Sequence, residues 1–180
     1  MKIAFRTVLL AALAALSVWL WTIVFPTPEK IIRRQLGEVA KSVSFTAGEG
    51  MLARVAGAQS LASYFSTNVE VRLDVPELAQ ITALDRNEIM QYALAARSNV
   101  NSLNVRFLDV SVTLAPNRRS AVADFTVEAR VLGEQELLVQ EMKFTLQKIS
   151  GQWLITRVET IRTLSILDFD RTRTPFIIGA

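Results

Sequence analysis

The stretch "SAVADFTVEARVLGEQELLVQEMKFTLQ", residues Ser120 to Gln147, alternates apolar and polar side chains up to Gly133 and then resumes in the opposite parity. A period of two is the signature of a strand with one buried face, and a change of parity across a glycine is that of a hairpin. If the reversal is centred on Gly133 and Glu134, Phe125 faces Met142, Ala123 faces Phe144 and Ala121 faces Leu146, all on one side. On the other side Asp124 meets Lys143, Glu128 meets Val139 and Arg130 meets Leu137. A slip of one residue would set Phe125 against Lys143 and expose the core face, so an even turn with glycine first, of type II′, is expected. This ribbon predicts the concave, helix-covered side of a bent antiparallel sheet.

The strands on either side are less regular. In "LNVRFLDVSVTL" Leu103, Val105 and Phe107 share one parity, and Leu108, Val110, Val112 and Leu114 the other, which predicts a β-bulge near Phe107 and Leu108. The final strand, "GQWLITRVET", follows a turn at Ser150 and Gly151. A two-residue turn there points Trp153, Ile155, Arg157, Glu159 and Ile161 inward; a three-residue turn points Leu154, Thr156, Val158 and Thr160 inward and leaves the charges in solvent. Ser-Gly suits the shorter form. With the shorter turn, Arg157 and Glu159 become pocket-lining candidates, and as an ion pair they would shape a pocket rather than supply a base.

Before these strands lie helices. Ile32, Leu36, Val39 and Val43 recur at helical spacing from Glu29 onward. A second helix is predicted from Met51 to Phe65, with Leu52, Val55, Ala62 and Phe65 as its stripe and Gly48 and Gly50 ahead of it. "NVEVRLDV", Asn68 to Val75, reads as a short strand. A third helix follows Asp85, which with Glu88 has capping-box spacing, and its inner face carries Ile89, Ala93, Ala96 and Val100 with Tyr92 beside it.

The N-terminus has a different character. Between Arg6 and Glu29 there is no charge, and the apolar run 7–25 is long enough for the ~30 Å of a bilayer core. The order expected is a tail 1–6, a transmembrane signal-anchor 7–25, a stiff "PTP" spacer 26–28, one domain 29–164 and a tail 165–180. The alternative for the first segment is a signal peptide cleaved after "ALS", Ala15 to Ser17, which would leave "VWLWTIVF" as a poor soluble terminus. Lys30, Arg33 and Arg34 compete with Lys2 and Arg6 for orientation. The short N-terminal tail favours a single-pass protein of an inner (cytoplasmic) membrane with its domain on the outer side. Phe169, Phe176, Ile177 and Ile178 make the C-terminal tail apolar enough to cover a sheet edge or meet a partner.

Composition narrows the chemistry. The 180 residues contain no cysteine and no histidine, which excludes disulfides, thiol catalysis and histidine acid–base or zinc chemistry. Twenty basic and 17 acidic residues give a net charge of +3, nearly balanced and without basic clusters interleaved with aromatics, so nucleic acid is not an expected partner. No cofactor, metal site or catalytic residue is expected. Tyr64 and Tyr92 could donate to a bound oxygen or serve only as aromatic packing. Gln140, on the apolar parity of its strand, either lines a pocket or bonds a loop carbonyl.

Helix, helix, strand, helix and long antiparallel strands, with "LASYFSTNVEV" where a helix ends in aromatics and "GQWLI" entering the last strand, resembles the nuclear transport factor 2-like superfamily and its SnoaL-like group. The resemblance implies an α+β cone, three N-terminal helices packed on a bent antiparallel sheet, with a pocket between them and dimerisation through the sheet. The outward Val122, Leu137 and Val139 are the candidate dimer face. The arrangement of anchor, spacer and domain looks like inner-membrane scaffold proteins of type IV secretion systems and of lipid-import complexes, which implies envelope-complex partners and a non-enzymatic assembly role. The second class is a membrane-tethered SnoaL-like binding protein or enzyme of isomerase or dehydratase type. Pocket polarity separates the two: unpaired Tyr, Asp or Glu in a deep cavity favours the enzyme, a filled cone the module.

Overall fold

The computed structural model describes residues 26–72, 83–131 and 137–164. They form α1 (Pro28–Val43), α2 (Met51–Ser63), β1 (Phe65–Arg72), β2 (Ala83–Asp85), α3 (Arg86–Asn99), β3 (Leu103–Leu114), β4 (Ser120–Val131), β5 (Leu137–Ile149) and β6 (Gln152–Leu164). The candidate span 7–25, the end of the predicted strand at Leu73 to Val75, the turn at Gly133 and Glu134 and the tail 165–180 lie outside the described residues. Among the described residues no helix is long and apolar enough to cross a membrane.

The register of β4 on β5 follows the predicted pairing throughout: Ala121 with Leu146, Ala123 with Phe144, Phe125 with Met142, Asp124 with Lys143, Glu128 with Val139 and Arg130 with Leu137. Lys143 reaches the Asp124 carboxylate at 3.8 Å. One sheet results, in the order β2-β1-β6-β5-β4-β3. It is mixed rather than wholly antiparallel, because β1 runs parallel to β6. The sequence reading missed β2, whose three residues are too short for a period and which pairs antiparallel with β1.

The helices lie on one face. α1 starts with Pro28 in its first turn and carries Glu29 near its N-terminus and Lys41 near its C-terminus, which suits the helix dipole. Its stripe is the predicted one: Ile32, Leu36 and Val39 are buried against Ala121, Leu146, Trp153 and Ile155 in one core. α3 begins with the predicted capping box, Asp85 accepting from the Glu88 N–H and Glu88 accepting from the Asp85 N–H. The stripe expected on α2 is not the buried one. Leu52 is 87% exposed and Val55 is also exposed, whereas Ala58 and Ala62 are buried and Phe65 belongs to β1. The helix packs closely on α3, with Gly57 against the Arg97 guanidinium, so small residues rather than large apolar ones form its buried side.

The bulge in β3 exists but sits two residues further on than expected. The register with β4 shifts between Leu108 and Ser111, and Asp109 takes a φ of 53°. Leu103, Val105 and Phe107 therefore share the core face with Val110, Val112 and Leu114, and Leu108 pairs with Thr126 on the outer face.

Candidate functional site

The concave side of the sheet is built from rows that cross β3, β4, β5 and β6. The first is Leu114, Ala121, Leu146 and Ile155, and the second Val112, Ala123, Phe144 and Val158. Then come Phe125, Met142 and Thr160, and beyond them Phe107, Val127 and Gln140. The rings of Phe107, Phe125 and Phe144 cluster, with centroids 4.5, 4.7 and 6.2 Å apart; Phe144 meets the other two edge to face, and Phe107 lies tilted on Phe125. None of the residues in these rows is ionisable. The polar members are Gln140, partly buried, and Thr160, whose hydroxyl oxygen is buried with no hydrogen-bond partner among the described residues.

Arg157 and Glu159 stand on the other face, contrary to the expectation that the short turn would point them inward. The turn itself is the short one, with Ile149 paired to Gln152 and both Ser150 and Gly151 at positive φ, 50° and 85°. Trp153 and Ile155 accordingly point in and are buried. Between Ile155 and Arg157 the register with β5 then shifts: Leu146 pairs with Ile155, but Thr145 pairs with Arg157. Thr156 is the extra residue, and its hydroxyl donates to the Thr145 carbonyl at 3.2 Å. A bulge inverts the side chains that follow it, here up to the second register shift opposite Glu141 and Met142, so Val158 is buried where Arg157 was expected.

On the outer face Arg157 donates to Glu70 on β1 at 2.8 Å rather than pairing with Glu159. Arg72 also reaches Glu70, at 2.5 Å, and approaches Glu159 at 3.9 Å. Hydrogen bonding from Arg157, reinforced by Arg72, holds the Glu70 carboxyl below its usual range. Val122 pairs with Thr145, and Leu137 and Val139 face Arg130 and Glu128, all three partly buried on this surface.

A groove runs along each side of α1. One, of ≈ 480 Å³, lies between α1 and the turn joining β5 to β6, with Arg34, Gln35, Tyr64, Lys148 and Trp153 among its lining residues. Gln35 donates to the Trp153 carbonyl at 2.7 Å. The structure thus brings together Tyr64 and Trp153 at this groove, and Arg157 and Glu159 in the outer-face cluster. Tyr92 is 63% exposed on α3, and Gln140 lies on the concave rows. The second groove, also ≈ 480 Å³, separates α1 from the edge strand β3.

The feature sequence reasoning missed is Arg97. It lies on α3 next to the predicted inner residue Ala96, yet is only 6% exposed. Its guanidinium donates to Glu49 at 2.8 Å and to the Ser42 carbonyl at 2.5 Å, and sits 5.0 Å from the centroid of the Phe45 ring. A Cβ at Gly57 would come within 2.6 Å of it. Arg97 ties the end of α1, the loop after it, α2 and α3 into one unit. The available signal was Gly57 itself, a glycine inside a helix. Every one of these contacts is internal to the fold, which makes Arg97 a clamp rather than a ligand.

No protein-family model matches this chain, and no curated protein does. Solved structures do match. An NTF2-like protein of unknown function from Pseudomonas putida aligns with a TM-score of 0.58 and 9% identity, over 77% of this chain and 94% of that one. A candidate scytalone dehydratase from Novosphingobium aromaticivorans gives 0.56 and 18%, over 74% and 81%. The yeast UBP3-associated protein BRE5 gives 0.56 and 16%, over 78% and 99%. At these identities the likeness shows the fold, an NTF2-like α+β cone.

Proposed function

We propose that the chain is a non-enzymatic interaction module, tethered to a membrane by residues 7–25 and presenting an NTF2-like domain to protein partners of the cell envelope. The observation that carries this reading is the concave face. In its described rows, three clustered phenylalanines occupy the middle and no acid or base is available for proton transfer. The bulge at Thr156 removes the two charged candidates from that face. One structural neighbour is by name a UBP3-associated protein. Cross-linking and pull-down from membranes with residues 1–25 intact tests the proposal. Partner proteins should be recovered with the wild-type chain, and turnover of small substrates with no specific partner would contradict it. The tether itself predicts resistance to carbonate extraction, and a soluble form beginning near Val18 would defeat it.

The outer face supports a weak homodimer centred on Val122, Leu137 and Val139, apolar residues set among charged and hydroxyl side chains of β4 and β5. Val139→Glu places a second carboxylate opposite Glu128 and should shift sedimentation toward monomer. The same monomer at every concentration, before and after that change, would remove the dimer.

A second reading is favoured by one atom. The buried, unpartnered Thr160 hydroxyl beside Met142 and Gln140 suits a single hydrogen bond to a small apolar ligand. Thr160→Val would then abolish ligand-induced stabilisation, whereas in the interaction module it leaves stability level or improved.

A further inference from the structure

We propose that the groove between α1 and β3 takes an acidic, extended peptide segment of a partner protein, which adds a strand to the β3 edge. This rests on the interaction-module reading and names the site and chemistry through which the module acts.

The argument starts at the edge. β3 ends the sheet, so among the described residues one side of its backbone has no neighbouring strand. Its first part is closed by the chain itself: Leu103 exchanges both backbone bonds with Phe45, and the Ser44 hydroxyl bonds the N–H and the carbonyl of Val105. Arg33 covers the Val110 carbonyl beyond. Leu103 and Val105 direct their backbone groups off the sheet, so Phe107, two residues on, does the same by the alternation of an antiparallel ladder. The gap between Val105 and Val110 is where the groove lies, with Val105, Phe107 and Val110 in its lining. Such an edge is a template for another strand.

Charge selects the occupant. The lining includes Arg33, Lys41 and Arg106, and no carboxylate. Lys41 and Arg106 do have acidic partners, Glu38 at 2.8 Å and Glu128 at 3.1 Å, but these pairs are exposed and readily exchanged. A segment carrying Asp or Glu beside alternate apolar residues would pair with the three cations and with the outward backbone groups of Phe107 together.

Gly37 is the independent sign. It sits inside α1, where glycine weakens a helix relative to alanine. It lines this groove, and nothing lies within 4 Å of where its Cβ would be. No packing contact among the described residues requires a glycine there. Its effect is to keep the helix wall low where an extended backbone would pass.

The test begins with panning of a random peptide display library against the full-length chain. Selected peptides should be rich in Asp and Glu, perturb backbone amides from Phe107 to Val112 in NMR spectra, and weaken as salt is raised. Gly37→Leu fills the groove from an unobstructed position, so it should weaken these peptides at least about tenfold without lowering the thermal midpoint. Failure to select any peptide, selection without acidic bias, or equal binding by Gly37→Leu would overturn the proposal. Cross-linked partners recovered equally by wild type and Gly37→Leu would overturn the groove and leave the interaction module standing. No partner with either chain would overturn the module itself.

Discussion

The two hairpins that share β5 obey the same pleat and reach opposite outcomes. On its β4 side, 11 residue pairs run from Ser120 with Gln147 to Arg130 with Leu137 without a shift. On its β6 side the register shifts twice, at Thr145 and Leu146 and again at Glu141 and Met142. Where the ladder is unbroken, alternation in the sequence is alternation of faces. Where one residue is extra, alternation continues in the sequence while the faces exchange. Here the exchange has a chemical result: Val158 enters the core and Arg157 and Glu159 join Glu70 and Arg72 outside. The contrast teaches that the chemistry of this cone is decided by one inserted threonine, not by its charged residues alone.

Charging the residue that the exchange buries is the most drastic way to break the contrast. Val158→Arg would place an unpaired cation in the core, where Val158 is buried opposite Phe144. The expected loss exceeds about 4 kcal/mol, read as failure to fold or a collapse of the urea midpoint. Phe144→Ala strikes the one aromatic that both hairpins share, paired to Ala123 on one side and Val158 on the other. It should cost about 3–5 kcal/mol in urea unfolding. Gly57→Ala carries the comparison to the helices, where a polar residue is the one enclosed. The new Cβ meets a guanidinium held by Glu49 and Ser42, so about 1–3 kcal/mol should be lost despite alanine's better helix propensity.

The smallest effect is electrostatic. Glu70 has its carboxyl held low by Arg157, so the stability it contributes is present above its ordinary value of 4.5 and is lost as pH falls through the lowered one. Wild type should therefore lose more of its urea midpoint than Glu70→Gln as pH is taken below about 4.5, and added salt should shrink the difference.

Much of the fold was legible because its signals are periodic. The stripe of α1, the capping box at Asp85 and Glu88, and the Ser120 to Gln147 register each follow from spacing alone. The bulge in β3 was visible as a change of phase, though displaced, since Leu108 and Val110 are equally apolar and only Asp109's backbone marks the site. In β6 no such mark existed: Leu154, Ile155, Val158 and Ile161 fit either face. Arg97 was illegible for another reason. Its burial depends on carbonyls of Ser42 and Ser44 and on Glu49, all distant in sequence, and a lone arginine on a helix normally faces water. Of the candidate site, Tyr64 and Trp153 came together, while the edge groove left no trace because backbone groups do not show in a side-chain pattern.

Cysteine labelling tests the face exchange most directly, because the chain has no cysteine of its own. Arg157→Cys and Val158→Cys, each in otherwise wild-type protein, would be exposed to a water-soluble maleimide under native conditions. The Arg157→Cys protein should label at nearly the rate of the urea-unfolded chain, and the Val158→Cys protein should stay protected until it unfolds. Protection of Arg157→Cys together with rapid labelling of Val158→Cys would return the charged pair to the cone and contradict the account.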